Sequence, residues 1–147
     1  MKKYATYIIV TLLIGGLSGF LTRNGITEYA VMLKPQLSPP GWLFPVVWTI
    51  LYVLMGFGAA RYDIVQNKIS KIYVAQLIVN FLWSFIFFEN KAYLFAFLWL
   101  ILLLVLVILM TIQFYRTDKL AGLLQIPYVL WLIFAGYLNF SVYLLNM

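Results

Sequence analysis

Long apolar runs, broken by short polar clusters, dominate the hydrophobic pattern of the 147-residue chain. Five of the runs are about 18 to 25 residues long, enough for an α-helix to cross a hydrocarbon core of roughly 30 Å. The runs are continuous, whereas the strands of a membrane barrel are shorter and alternate apolar with polar residues. We therefore predict five membrane-spanning helices, over about residues 4–22, 42–61, 71–88, 92–115 and 120–145.

Short polar clusters mark the connections between the runs. We predict a loop from Thr22 to Pro40 after the first helix, a loop over residues 61–68 after the second, and tight connections before the fourth and fifth. Ser70 can cap the third helix, because a serine side chain accepts a hydrogen bond from a free N–H group at a helix start. Pro127 lies inside the fifth run and predicts a kink there.

The composition agrees with a chain whose solvent is lipid. The sequence is 65% hydrophobic and only 10% charged, whereas a soluble domain carries roughly 25% charged residues. The net charge of +6 comes from Lys and Arg scattered between apolar runs, which argues against a basic nucleic-acid-binding face. We expect one all-α membrane domain over residues 1–147, with the lipid bilayer and not nucleic acid as its partner.

Basic residues in the short loops predict the orientation, because they concentrate on the cytoplasmic side. The side that includes the amino terminus holds the larger set: Lys2, Lys3, Arg61, Lys68, Lys71, Arg116 and Lys119. The opposite side holds the smaller set: Arg23, Lys34 and Lys91. We expect the amino terminus in the cytoplasm and the carboxyl terminus outside.

The chain contains no His and no Cys, which removes imidazole acid–base chemistry, thiolate nucleophiles and the usual zinc and haem ligands. Its four acids lie near the ends of apolar runs, where charge can reach water: Glu28, Asp63, Glu89 and Asp118. A proton- or ion-coupled transporter normally keeps an ionisable group at membrane depth. We therefore expect no metal site, no required cofactor and no ion coupling.

Aromatic residues follow a proline-rich segment at the start of the second helix. Prolines make the segment that ends at Pro40 stiff and non-helical. Trp48 and Tyr52 are four residues apart and share a helix face, so the stiff loop can form a lid over an aromatic pocket. The alternative is an aromatic belt at the membrane interface. We favour the belt for Trp42, and the pattern does not decide for Trp48.

The third helix carries a stripe of polar and aromatic side chains at Gln76, Asn80, Trp83 and Phe87. An amide facing lipid would lose its hydrogen bonds at a cost of several kcal/mol, so both amides should face the bundle. There they can bond to neighbouring helices, which is common in membrane proteins. They can also donate to the carbonyl or carboxylate of a ligand.

Small residues predict close contacts. Trp131, Ala135 and Leu138 share a face of the fifth helix, where the alanine permits either a close helix or a flat ligand against the indole. Gly15, Gly16 and Gly19 in the first helix indicate close packing. The spacing of the first and last of these glycines is a weak G-x-x-x-G signal for a contact within the bundle or between protomers.

Together these motifs resemble the TspO/MBR family, which comprises the tryptophan-rich sensory proteins and the translocator proteins, also called peripheral benzodiazepine receptors. The resemblance covers nearly the whole chain. In the second helix it rests on Pro39-Pro40-Gly41-Trp42, Phe44, Trp48-Thr49, Leu51-Tyr52 and Gly56. In the third and fifth it rests on Gln76-Leu77, Asn80, Trp83, Phe87-Phe88, Pro127-Tyr128, Leu130-Trp131, Phe134-Ala135 and Leu138-Asn139.

The resemblance implies a five-transmembrane-helix bundle, often a homodimer, with a ligand pocket under the loop between helices 1 and 2. Family members bind porphyrins such as protoporphyrin IX and other flat hydrophobic molecules, and bacterial members lie in the cell membrane. Some are reported to degrade protoporphyrin in light, with two tryptophans that correspond to Trp48 and Trp131. The candidate ligand-binding residues are Tyr29, Pro40, Trp42, Trp48, Tyr52, Gln76, Asn80, Trp83, Phe95, Trp131, Ala135 and Leu138.

The sequence departs from the family pattern at three places. The family often has a tryptophan where Leu37 stands, and Phe95 aligns with a position that is often tryptophan. The family's sterol motif needs a tyrosine followed by a basic residue near the end of the fifth helix. Here Phe140 follows Asn139, and no basic residue occurs from there to the end of the chain. Sterol binding by that route is not expected.

These observations lead to a binding hypothesis. The macrocycle of a porphyrin would lie between Trp48 and Trp131, with Ala135 giving clearance and an amide from Asn80 or Gln76. Arg23 or Lys34 would pair with its propionates. We predict a receptor or sensor in tetrapyrrole or stress regulation. The alternatives are a light- and oxygen-dependent porphyrin-degrading enzyme and a transporter of porphyrins or lipids.

Overall fold

A computed structural model of the protein describes residues 1–29 and 38–146. Helices account for nearly all of these residues, and no strand occurs within the two ranges. In chain order the helices are α1 (Lys2–Leu21), α2 (Arg23–Tyr29), α3 (Leu43–Gln66), α4 (Lys71–Ser84), α5 (Tyr93–Thr117), α6 (Lys119–Leu123) and α7 (Ile126–Leu145). A π-helical segment, Phe85–Glu89, continues α4.

Within the described ranges, five helical stretches are long and apolar enough to cross a membrane: α1, α3, α4 with its π-helical segment, α5, and α6 together with α7. This confirms the predicted five-helix bundle. Aliphatic side chains such as Leu13, Ile50 and Leu130 are more than half exposed, as expected for surfaces that face lipid. Buried positions include the amides of Gln76 and Asn80, because lipid offers polar groups no partner and the bundle interior does.

Close backbone approach holds α1 against α3. A β-carbon at Gly56 would lie 2.7 Å from the Cα of Ile8, and one at Gly15 would overlap the ring of Tyr52. The predicted close packing of Gly15 is therefore confirmed. Gly16 and Gly19 make no such contact within one protomer, because no other part of the described chain lies within 4 Å of a β-carbon built there. A contact of these glycines between protomers stays a prediction.

Two predicted loops are partly helical. Residues Arg23–Tyr29 form α2 within the loop expected from Thr22 to Pro40. Helix α3 continues to Gln66, so the loop predicted to begin at residue 61 starts later. Charged side chains in the last turns of α3 find partners on other elements, and this removes the reason for the helix to end early. Lys3 Nζ lies 2.8 Å from an oxygen of Asp63, and the Arg61 guanidinium donates to Asp118.

The fifth span is broken before its proline rather than kinked at it. Helix α6 ends at Leu123, and Pro127 lies in the first turn of α7, where the missing N–H has no helical partner to lose. Gln125 occupies the break, and its side-chain amide donates to the carbonyls of Leu54 (2.9 Å) and Ala121 (3.3 Å). The break is thereby tied to α3. The predicted cap on α4 is confirmed, since the Ser70 hydroxyl accepts from the N–H of Tyr73 at 3.2 Å.

Candidate functional site

Aromatic rings from α3 and α7 meet inside the bundle, and we call this group the α3–α7 aromatic cluster: Phe44, Trp48, Tyr52, Tyr128 and Trp131. Trp48 stacks on Tyr52 with ring centroids 5.5 Å apart, so these two side chains share a face as predicted. Its indole meets that of Trp131 edge to face, with centroids 6.4 Å apart and planes at 90°. The two tryptophans singled out in the sequence are therefore neighbours.

A chain of hydrogen bonds runs from the cluster into α4. Tyr52 donates to the side-chain oxygen of Asn80 (3.0 Å), and the amide nitrogen of Asn80 donates to the Tyr128 hydroxyl (2.6 Å). Tyr128 in turn donates to Gln76 (2.8 Å), whose amide nitrogen reaches the sulfur of Met55 (3.3 Å). Both amides face the bundle, as predicted. In this arrangement they bond to neighbouring helices, so a ligand would have to replace one of these partners.

A second aromatic group lies beside the π-helical segment. The ring of Trp83 stacks on Phe87 with centroids 5.1 Å apart, and its indole N–H donates to Asn139 at 3.1 Å. Tyr29 packs edge to face on Phe87. Burial raises the pKa of the Tyr29 phenol. Trp83 also packs against the main core, so it links the two aromatic groups.

Two small or aliphatic candidates on α7 are buried between helices. Ala135 is 9% exposed and belongs to the main core, and Leu138 is 5% exposed. Ala135 follows Trp131 by one helical turn, so the predicted shared face is present.

Three sequence candidates are exposed and belong to neither aromatic group. Trp42 is 67% exposed, which favours the interfacial-belt interpretation. Phe95 is 54% exposed and stacks on Trp99 at the outside of α5. Pro40 is also exposed. The lid residues Lys34 and Leu37 lie outside the described residues.

Sequence reasoning gave too little weight to two members of the cluster. The ring of Phe44 packs against Trp131 with centroids 5.8 Å apart, and Tyr128 is the centre of the hydrogen-bond chain. Both belong to the quoted motifs, and helical spacing provides the signal: Phe44 precedes Trp48 by four residues and Tyr128 precedes Trp131 by three. The sequence did not show which helix each would face.

A groove of about 360 Å³ opens next to the cluster, at the outer seam of α3 and α7. It is lined by Val47, Ile50, Leu51, Pro127, Leu130, Trp131 and Phe134. Trp131 lines this groove and also belongs to the cluster, so its side chain separates the two. Its indole nitrogen is buried and has no hydrogen-bond partner in the part of the chain that the structure describes. A ligand acceptor would satisfy this donor, which otherwise carries a cost of about 1–3 kcal/mol.

The fold and the site together define a helical membrane protein whose five spans enclose a cluster of aromatic, uncharged side chains. A family model described as the TspO/MBR family matches residues 7–145. Among curated relatives, the chain is 38% identical to the tryptophan-rich protein TspO of Archaeoglobus fulgidus, over 98% of this chain and 97% of the relative. It is also 38% identical to protein CrtK of Rhodobacter capsulatus, over 99% and 94%.

A more distant relative extends the comparison to animals. The human translocator protein is 31% identical over 86% of this chain and 79% of its own length. The family match runs through all five spans and agrees with the resemblance seen in the motifs. The chain belongs to the TspO/MBR family.

Proposed function

We propose that the protein is a membrane receptor or sensor that binds porphyrins, such as protoporphyrin IX, and related flat hydrophobic ligands, in tetrapyrrole or stress regulation. The observation that carries the proposal is the contact between Trp48 and Trp131 beside an unpartnered indole nitrogen. A porphyrin is large, flat and mostly apolar, so it gains from stacking on indoles in an aromatic site. Family membership supports the same ligand class.

A flat ligand between Trp48 and Trp131 would have to move the two rings apart. Two parallel indoles that sandwich a planar ring need centroids roughly 7 Å apart, about twice the contact distance between carbon atoms. In the structure the two rings are perpendicular at 6.4 Å, so the predicted slot between them is closed. We therefore place the macrocycle against Trp131 after its ring has turned toward the outer groove. Trp131 is only partly buried, which permits that movement.

Polar groups would orient the ligand. The guanidinium of Arg23 is exposed and lies 4.1 Å from the centroid of the Phe20 ring, so it can leave this position for a propionate. A carbonyl or carboxylate oxygen of the ligand would accept from the indole nitrogen of Trp131. None of the cluster side chains carries a charge, so their part is to stack, to exclude water and to donate hydrogen bonds.

Tryptophan fluorescence tests the site. Protoporphyrin IX is titrated into purified protein in detergent, and quenching is followed for the parent, for the double variant Trp48→Phe/Trp131→Phe and for the control Trp42→Phe. We expect the control to bind as the parent does. We expect the double variant to bind about 5- to 150-fold more weakly, since each lost indole stacking contact costs about 0.5–1.5 kcal/mol. Equal affinity of the double variant and the parent would refute the assignment.

The same proteins separate binding from the two alternatives. Illumination with protoporphyrin IX in air should give simple bleaching; a new bilin-like product that disappears in the double variant would instead indicate the porphyrin-degrading enzyme. Uptake into liposomes that exceeds uptake by empty vesicles at equal binding would indicate a transporter. A receptor predicts neither result.

A further inference from the structure

A second groove, of about 680 Å³, opens between α1 and α4, away from the α3–α7 aromatic cluster. Its walls are aliphatic over most of their length, with Val10 and Ile14 on α1 facing Val74 and Ile78 on α4. None of these four residues belongs to the site described above.

Polar groups along the floor of this groove are already paired. Tyr7 donates to Asp63 at 2.6 Å, and the hydroxyls of Thr11 and Tyr73 lie 2.5 Å apart. These bonds link α1 to its neighbours beneath the groove. The floor therefore presents hydrocarbon and aromatic rings to an occupant rather than unsatisfied donors.

The groove opens to the bilayer and has the length of one leaflet. Val10, Val74 and Ile78 are 44%, 41% and 56% exposed, so their outer surfaces face lipid. The α1 residues that line the groove extend from Lys2 to Ile14, which is about 18 Å of helix at 1.5 Å per residue. Half of a bilayer core is roughly 15 Å thick. An extended acyl chain of one leaflet matches this length.

One end of the groove is basic. Lys2 and Lys3 line it, together with the carboxylate of Asp63. Lys68 and Lys71 flank Ile69, which lines the same end. This end of the groove therefore has four lysines and one carboxylate in or beside it, and its net charge is positive. The opposite end is lined by hydrophobic side chains from Ile14, Phe81 and Leu82. This polarity fits an amphiphile with an anionic head and an apolar tail.

We propose that the α1–α4 groove binds an anionic glycerophospholipid from the leaflet on the side of the amino terminus. One acyl chain lies between α1 and α4, and the phosphate pairs with Lys2 and Lys3. Lys3 stays near Asp63 but keeps 43% of its side chain exposed, so it can serve both partners. Basic residues between helices at a membrane surface attract such head groups. A second copy fits less well, because a symmetric contact in one membrane would bring the same lysines together.

Native mass spectrometry of delipidated protein in detergent tests the head-group half of the proposal. Phosphatidylglycerol and phosphatidylcholine with identical acyl chains are titrated separately. We expect tighter binding of phosphatidylglycerol, and a weakening of about fivefold for each lysine removed in Lys2→Gln/Lys3→Gln. The control Arg116→Gln/Lys119→Gln removes the same charge elsewhere and should bind as the parent does. Lys3→Arg should retain binding. Equal binding of the two lipids, or equal loss in the control pair, would overturn the proposal.

A steric variant tests the acyl-chain half. Ile78→Trp fills the groove from an exposed position, whereas the control Ile108→Trp adds the same bulk to the exposed face of α5. We expect the first to abolish phosphatidylglycerol retention and the second to leave it unchanged. If Ile78→Trp instead keeps the lipid and changes the oligomeric state, the groove holds a second copy and the lipid assignment is wrong. Porphyrin binding is measured in parallel and should not change in either variant.

Discussion

The indole of Trp48 on α3 meets the indole of Trp131 on α7 edge to face, with ring centroids 6.4 Å apart. This contact joins helices that are far apart in sequence, and it closes the slot in which a flat ligand was expected to lie. The proposed site is therefore a packed aromatic contact that a ligand would have to open. Binding would replace the ring-to-ring contact with ring-to-ligand contacts.

This contact should appear as an energetic coupling. In a double-mutant cycle with Trp48→Leu and Trp131→Leu, we expect the two losses of unfolding free energy to deviate from additivity by about 0.5–1.5 kcal/mol. The measurement is denaturant unfolding in detergent. Trp48→Leu combined with Trp99→Leu is the control, since Trp99 bonds to the backbone of Val79 instead. Additive effects in the first cycle would show that the indoles do not interact.

Removal of the Tyr128 hydroxyl should destabilise the bundle. Tyr128→Phe deletes the group that joins Asn80 to Gln76 and leaves two buried amides short of a partner. The expected loss is about 1–3 kcal/mol in unfolding free energy. Tyr137→Phe deletes a hydroxyl from a side chain that is 43% exposed, and it should change stability little. Equal stability of the two variants would contradict the central role of Tyr128.

Substitution of Gly56 should weaken the packing of α1 against α3 and lower the stability of the fold. Gly56→Ala places a methyl group against the backbone of Ile8, which cannot move aside as a flexible side chain would. We expect a loss of about 1–3 kcal/mol from this overpacking. At Gly19 the same change meets open space, and Gly19→Ala should be neutral or stabilising because alanine is the better helix former. Thermal unfolding in detergent distinguishes the two variants.

The ion pair between Arg61 and Asp118 predicts a pH dependence. The hydrogen bond from Arg61 holds the pKa of the Asp118 carboxyl below its usual value of 3.8. A carboxyl whose pKa is lower in the folded state stabilises the fold above its unfolded pKa, and this contribution is lost as the pH falls through the folded-state pKa. The stability difference between the parent and Asp118→Asn should therefore persist at neutral pH and be lost as the pH falls below 3.8 through the folded-state pKa.

The control for this titration is Glu89→Gln, which removes an exposed carboxylate at another connection. Its stability difference from the parent should be small at every pH. If the Asp118→Asn difference stays constant throughout the acid range, the ion pair does not contribute in the folded state.

The distribution of basic residues predicts the topology. Reporter fusions should place the amino terminus in the cytoplasm and the carboxyl terminus outside, because the loops on the amino-terminal side carry most of the Lys and Arg. Charge-reversing changes at Lys2 and Lys3 provide a matched test, since they should weaken this preference. An external amino terminus in the parent would contradict the prediction.

Several features followed from the sequence alone. The length and continuity of the apolar runs determined five spanning helices, because a backbone in lipid must satisfy its own hydrogen bonds. The same cost of exposing polar groups to lipid determined that Gln76 and Asn80 face inward. Helical spacing placed Trp48 beside Tyr52, and the motifs identified the family.

Only the tertiary structure decided how those side chains are used. Helix α3 continues past Arg61 because Asp118 and Lys3 come from elsewhere in the chain to neutralise its charges. Phe95 and Trp42 point outward, although their aromatic character suited a pocket equally well. Periodicity gives the face of a single helix, whereas contact between Trp48 and Trp131 depends on how two distant helices are rotated and spaced. That choice is made by the packing of all five spans together.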